Sequence, residues 1–384
     1  MDHLAIYLAL AAVAAAVTLV MNGPARRISL EVGYTAEPDV RKVHQRVTPY
    51  GGGGAMFVGL CVSLIVAEAV PTTRSLINSS HETLGVLLAA MVIFVVGVLD
   101  DFREMSAPAK VAGQFLAASI LYFSGATMYQ LKLPFAGFVV LGPSILPIIT
   151  AVWVVALSNA VNLIDGLDGL AAGIVAIASG TLCVYGLRLE DLGLLPITNV
   201  GPLVAALTCG VCLGFLKDNF HPAKLFMGDA GALMLGLLMS ASTMVIGGRT
   251  PPASGVTFFF FAPLLIPVFI LGVPLADATW AFVRRTASGQ GFHTPDKNHI
   301  HHRLMRLGHG HRRTVVLLWA WTALLCGFVL LPLFDNRANV FIPLGVAVLL
   351  IALFTWFSPL RSRLRRRVSE FDDEAEREDV DLHP

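Results

Sequence analysis

The chain has 384 residues, 55% of them hydrophobic and only 14% charged, against about 25% charged in soluble domains; with a mean hydropathy of +0.72 it cannot cover itself with polar surface in water. The net charge of +1 excludes a global field that recruits nucleic acid or any other polyanion. The five cysteines (Cys61, Cys183, Cys209, Cys212 and Cys326) sit in apolar runs, and the C-G-V-C at 209–212 lacks a second pair or a nearby His, so packing rather than redox or metal chemistry explains them.

In chain order, apolar runs of spanning length fall near 4–21, 51–70, 83–99, 107–124, 143–161, 169–187, 199–216, 230–247, 257–280, 314–333 and 339–357. Each approaches the roughly 20 residues that cross a bilayer, and lipid requires backbone groups to bond within their own segment. The expected fold is all-α: a polytopic integral membrane helical bundle of about 11 transmembrane helices. One membrane-embedded domain covers 1–360. The first run has no basic flank and no small-residue cleavage site, so it reads as a retained span. The tail, 361–384, is basic at R-S-R-L-R-R-R and then acidic at F-D-D-E-A-E-R-E-D, a lipid-touching flank followed by a disordered, solvated end. There is no internal repeat of the kind that transporters carry.

Lys and Arg set the orientation. Of the 27, 22 fall in or beside 22–50, 100–110, 217–229, 281–313 and 358–384, which alternation assigns to one side; Arg74, Lys132, Arg188, Arg249 and Arg337 are the rest. The rich side is expected to be cytosolic, with the N-terminus outside and the C-terminus inside. The short loops suit a prokaryotic plasma membrane.

Acids at a membrane edge are costly and default to function. Asp100, Asp101, Glu104, Asp165, Asp168, Asp218, Asp229 and Asp277 all fall on the basic side under this topology, a result that counting Lys and Arg did not have to give. Carboxylates gathered at one face suit a hard cation such as Mg²⁺, with Mn²⁺ as a substitute, bridging protein to phosphate. A lone Asp at a helix end is ordinarily a solvated flank or a cap. The adjacent pair Asp100-Asp101 is not, because like charges side by side raise each other's cost.

The segment 159–169, N-A-V-N-L-I-D-G-L-D-G, spaces Asn159 from Asn162 and Asp165 from Asp168 by one helical turn, so each pair shares a face. The loop 284–313 holds six of the 11 His residues. Its H-I-H-H-R lacks zinc-site spacing and, beside carboxylates, fits diphosphate or sugar contact. The loop 41–54, with Lys42, His44, Arg46 and four glycines, offers backbone amides that can cradle phosphate, or simply a flexible turn at a basic flank.

Together these residues resemble the polyprenyl-phosphate N-acetylhexosamine-1-phosphate transferase family over about Arg41 to Arg313. The similarity rests on D-D-x-x-E at Asp100 to Glu104, N-x-x-N-L-x-D-G-L-D-G at 159–169, N-F-H-P-A-K-L-F-M-G-D-A-G at 219–231, and H-I-H-H-R at 299–303. The last is similar to the branch that uses UDP-GlcNAc; Ile300 breaks the run of three histidines typical of the branch acting on UDP-MurNAc-pentapeptide, and Arg303 follows. The resemblance implies an enzyme in which Asp229 and Asp165 hold Mg²⁺. Asp100, Asp101 and Asp168 are catalytic, with Asp100 the favoured base. Asn162, Asn219, Phe226 and Lys42 contact the nucleotide. His299, His301, His302 and Arg303 hold the diphosphate and sugar. The implied partners are UDP-GlcNAc, a polyprenyl (undecaprenyl or decaprenyl) phosphate and the bilayer. A second copy of the chain, as a homo-oligomer, is compatible with the sequence.

Overall fold

A computed structural model describes residues 3–36, 47–103, 105–133, 137–249, 310–330, 334 and 345–351. The helices are α1 (Leu4–Val32), α2 (Gly52–Ala69), the short α3 (Pro71–Ile77), α4 (Glu82–Arg103), α5 (Ala107–Phe123), α6 (Leu146–Ile164), α7 (Leu170–Asp191), α8 (Gly201–Asn219), α9 (Gly228–Gly247) and α10 (His311–Leu330). Among the described residues, eight of these are long and apolar enough to cross a membrane; α5, with 17 residues, is slightly shorter. The fold is that of a polytopic helical membrane protein. The expected run at 257–280 lies outside the described residues, and of 339–357 only 345–351 are described.

Two features depart from the all-helical expectation. Strands β1 (Thr35–Ala36) and β2 (Thr48–Pro49) pair antiparallel, and β3 (Gln130–Leu133) pairs antiparallel with β4 (Gly137–Val140) in the register Gln130↔Val140 to Leu133↔Gly137. The second pair occupies what sequence alone reads as an outer loop. Helix α1 also runs on past the expected end near residue 21 to Val32, through Pro24. Tertiary partners explain the extension. The Asn22 amide is buried and donates to the Gly214 carbonyl (3.2 Å) and the Asp218 carboxylate (3.0 Å) of α8. The helix stops at Gly33, whose φ of 76° is the left-handed conformation that helix C-termini favour.

Helix α9 is the axis of the bundle. The 18-residue apolar window on it is 94% buried, and it packs on α2, α4, α6, α7 and α8. Close approach is made by small residues, as helices in lipid require. A Cβ at Gly97 of α4 would run into the Asp229 and Ala230 backbone of α9, and one at Gly210 or Gly214 of α8 into Ala11 or Ala15 of α1. By contrast α4 carries an exposed stripe of Leu84, Leu88, Met91, Val95, Leu99 and Phe102, the spacing of one helix face, suited to lipid. At one end of the bundle Arg249, just beyond α9, pairs with the buried Glu82 of α4 (2.6 Å) and donates to the Gly125 carbonyl (2.6 Å). The site lies at the other end.

Candidate active site

Alternate helix ends meet there: the C-terminal ends of α1, α4, α6 and α8, and the N-terminal ends of α2, α5, α7, α9 and α10. Of the acids that charge patterning assigned to one face, Asp100 and Asp229 share Lys110, Asp101 holds the Asp229 amide, and Asp165 lies within electrostatic reach of Asp229, Asp101 and Asp168.

Asp101 sits in the last turn of α4 and caps α9. Its Oδ1 accepts from the Asp229 N–H (2.9 Å), and its Oδ2 accepts from the Ala230 N–H (3.2 Å) and the Tyr34 hydroxyl (2.5 Å). The first amides of a helix lack partners inside the helix and favour an anion, so a carboxylate from another helix serves them. Gly228 has a φ of 66°, and a side chain there would collide with the Asp101 carboxylate. Tyr34 reaches the site from the turn that ends α1 and stacks on Phe102, ring centroids 4.4 Å apart. Burial, then the Asp101 charge, hold its phenol well above the usual range. Tyr50 is pushed up to about 12, by burial first and then by Asp101, Asp229 and Asp165.

Asp100 points the other way. Its Oδ1 accepts from the Met105 N–H (2.7 Å) and its Oδ2 from the Lys110 ammonium (2.6 Å). Lys110, in the first turn of α5, also donates to Asp229, so one cation lies between two carboxylates. Asn162, from the last turn of α6, completes the group: its amide nitrogen donates to Asp229 Oδ1 (3.0 Å) and its oxygen accepts from Lys110 (3.3 Å). Asp165 caps the end of α6. It keeps some accessible surface, yet burial raises its carboxyl well above the usual range, followed by the charges on Asp229, Asp101 and Asp168.

Asp168 is buried, and its Oδ2 is shared by His221 Nδ1 (2.7 Å) and the Ala223 N–H (3.0 Å). Asn219 is spent on the frame. Its Oδ1 accepts from the Gly169 N–H (2.9 Å) and its Nδ2 donates to the Leu225 carbonyl (3.1 Å), stitching the 159–169 segment to the loop before α9. The Phe226 N–H donates to the Pro49 carbonyl (2.9 Å), and its ring lies 6.2 Å from that of Tyr50.

One expectation needs correction. The amides of Gly52 and Gly53 cannot cradle phosphate, because they donate to the carbonyls of Phe226 (2.9 Å) and Met227 (3.1 Å). The glycines permit close packing instead: a Cβ at Gly53 would meet Gly231 and Met227 of the α9 entry. Lys42, Glu104, Asp277, His299, His301, His302 and Arg303 lie outside the described residues.

Sequence reasoning passed over Lys110, Tyr34 and His221. Lys110 counted only as a basic flank, although it is the one Lys or Arg in the 107–124 run. His221 lay inside a quoted motif and was not singled out.

Among the described residues, the Asp100, Asp101, Asp165 and Asp229 carboxylates outnumber the single Lys110 ammonium bonded to them, and Asp100 and Asp229 share it. An oxygen-rich, under-neutralised donor set of this kind fits a hard divalent cation that takes one or two carboxylates and completes its shell with water and phosphate.

Comparison with known proteins gives the family. The sequence model of glycosyl transferase family 4 matches residues 83–247. The decaprenyl-phosphate N-acetylglucosaminephosphotransferase of Mycobacterium tuberculosis is 36% identical over 87% of this chain and 85% of its own. The probable undecaprenyl-phosphate N-acetylglucosaminyl 1-phosphate transferase of Bacillus subtilis is 36% identical over 81% of this chain and 79% of its own. The undecaprenyl-phosphate alpha-N-acetylglucosaminyl 1-phosphate transferase of Escherichia coli K12 is 29% identical over 86% and 83%. The chain is a multi-pass membrane protein of glycosyl transferase family 4. Within that family it belongs with the polyprenyl-phosphate N-acetylhexosamine-1-phosphate transferases, in the branch of these relatives.

Proposed function

We propose that this protein transfers N-acetylglucosamine-1-phosphate from UDP-GlcNAc to a polyprenyl phosphate, giving polyprenyl-diphospho-GlcNAc and UMP, at the cytosolic face of a bacterial membrane. The observation that carries the reading is the convergence of Asp100, Lys110, Asn162 and Asp229 at one end of the bundle. Similarity to enzymes named for this transfer, over most of both chains, supports it.

An oxygen of the lipid phosphate attacks the sugar-bearing phosphorus. The bond from that phosphorus to the bridging oxygen breaks, and UMP leaves with that oxygen. In phosphoryl transfer the protein's work is positioning and charge neutralisation. Lys110 supplies a fixed positive charge where phosphate oxygens converge. Asn162 fixes the orientation of the Asp229 carboxylate, and Asp101 holds the start of α9 and so the place of Asp229. The second pKa of a phosphomonoester is about 6, so the nucleophile is largely ionised at neutral pH and Asp100 acts chiefly by electrostatic placement. Asp229 and Asp165, with Asp100, would hold Mg²⁺ or its substitute Mn²⁺, which would supply neutralisation of the diphosphate charge. Phe226 and Lys42, with the loop that Asn219 holds, form the nucleotide side, and His299, His301, His302 and Arg303 supply diphosphate and sugar contacts.

The test is UMP release and lipid-linked sugar formation by purified protein with a short polyprenyl phosphate, UDP-GlcNAc and Mg²⁺, with UDP-MurNAc-pentapeptide in parallel. Product from UDP-GlcNAc alone, lost in Asp229→Ala and on chelation, is expected. Product only from the pentapeptide overturns the sugar assignment; none from either overturns the reaction.

A further inference from the structure

Next to the carboxylate centre lies a second cluster with different donors. Asp168 comes from the turn between α6 and α7, His221 from the loop after α8, and His311 is the first residue of α10. One ligand atom from each lies within 4.8 Å of the others. The cluster is built rather than accidental. Asp168 is 4% exposed and orients His221 through Nδ1 at 2.7 Å. The two imidazoles stack, centroids 4.1 Å apart and planes 18° from parallel. The Arg312 Nε donates to the His221 carbonyl (2.9 Å), and Trp319 of α10 packs against Phe220, ring centroids 5.6 Å apart. Three segments far apart in sequence are thus brought to one point.

We infer that Asp168, His221 and His311 form a second cation site, selective for a borderline transition-metal ion of the Zn²⁺ type and distinct from the hard-cation centre at Asp100 and Asp229. Two imidazoles and one carboxylate suit Zn²⁺, Co²⁺ or Ni²⁺, whereas Mg²⁺ prefers all-oxygen shells. Zinc bonds to such atoms at about 2.0–2.2 Å, so the rings rotate to bring three donors onto one ion, and the described residues supply three of its four positions. The bound ion staples α10 to the 165–169 turn and to the loop that leads into α9. This inference does not rest on the reading of the reaction.

The test uses full-length protein purified without a polyhistidine tag, stripped with chelator, and titrated with Zn²⁺ or Co²⁺ in excess Mg²⁺. Bound metal is read by elemental analysis, its ligands by X-ray absorption, and its effect by thermal unfolding in detergent. Wild type is expected to bind about one Zn²⁺ with mixed N/O ligation and to gain thermal stability that grows with the logarithm of free Zn²⁺ above its Kd. His221→Asn and His311→Gln are each expected to weaken binding by more than the roughly 10–100-fold that outer-sphere changes cost and to abolish the stabilisation. The variant carrying His299→Ala, His301→Ala and His302→Ala is expected to bind as wild type. No tight Zn²⁺ in wild type overturns the inference. So does binding that survives both single variants, or binding lost in the triple variant, which places the metal in the His-rich loop.

Discussion

Replacing Asp101 with Asn separates frame from reaction. Three donors converge on its two carboxylate oxygens: the Tyr34 hydroxyl and the N–H groups of Asp229 and Ala230. An amide of the same shape offers one oxygen and one NH₂, so at least one donor must face another donor. Losing a helix cap costs about 0.5–2 kcal/mol, and a hydrogen bond to a charged acceptor contributes about 1.5–3 kcal/mol. Because the two overlap on one carboxylate, the combined loss is about 2–4 kcal/mol. Asp100→Asn also leaves one donor, the Met105 N–H or the Lys110 ammonium, facing an NH₂, but Lys110 keeps Asp229 and the charge removed repels Asp101, so a smaller cost of about 1–2 kcal/mol is expected. Both variants should lose transferase activity, but thermal unfolding in detergent should rank Asp101→Asn well below Asp100→Asn and wild type. Tyr34→Phe should lower stability too, and adding it to Asp101→Asn should cost less than it does alone, since the charged acceptor is already gone. An Asp101→Asn protein as stable as wild type yet inactive would refute the framing role and make Asp101 a reacting group.

Lys110→Met should lower kcat by about 10²–10³, the usual loss on removing one preorganised charge donor, and Lys110→Arg should not restore it, because a planar fork cannot replace a compact ammonium between two carboxylates; steady-state UMP release measures both. Gly97→Ala should push α4 off α9 at a cost of about 1–3 kcal/mol, read by thermal unfolding, with activity falling as Asp101 loses its place. Tyr50 carries a pH signature. Its folded-state pKa is raised from 10.0 to about 12, so its contribution to stability is fully present below pH 10 and is lost as pH rises towards 12. Unfolding midpoints between these pH values should fall less steeply in Tyr50→Phe than in wild type.

The clustering of Asp100, Asp165, Asp168 and Asp229 was legible in the sequence because lipid leaves few places for charge, and alternation of spans then fixes which ends meet. The helix runs were legible for the same reason. What each acid does was not. Asp101 and Asp100 are neighbours with identical chemistry, and only a partner 128 positions away, the Asp229 amide, makes one of them a cap. Lys110 looked like a flank because its partners lie in α4 and α9. The extension of α1 depends on Asn22 finding Asp218 across the bundle, and Gly52 and Gly53 lost their phosphate reading to carbonyls of a loop that sequence could not place beside them. Period and charge are local signals; these assignments are pairings between distant segments.

Asp229 rides on a helix that meets protein along nearly its whole length, while α4 turns a long apolar stripe outward. Evolution therefore has two unequal surfaces to work on. The outer faces can drift from lineage to lineage, following bilayers of different thickness and composition, with little consequence for the chemistry. A change on α9 must be matched by its neighbours at once, so divergence among relatives should concentrate on the rim of the bundle and thin out towards its axis.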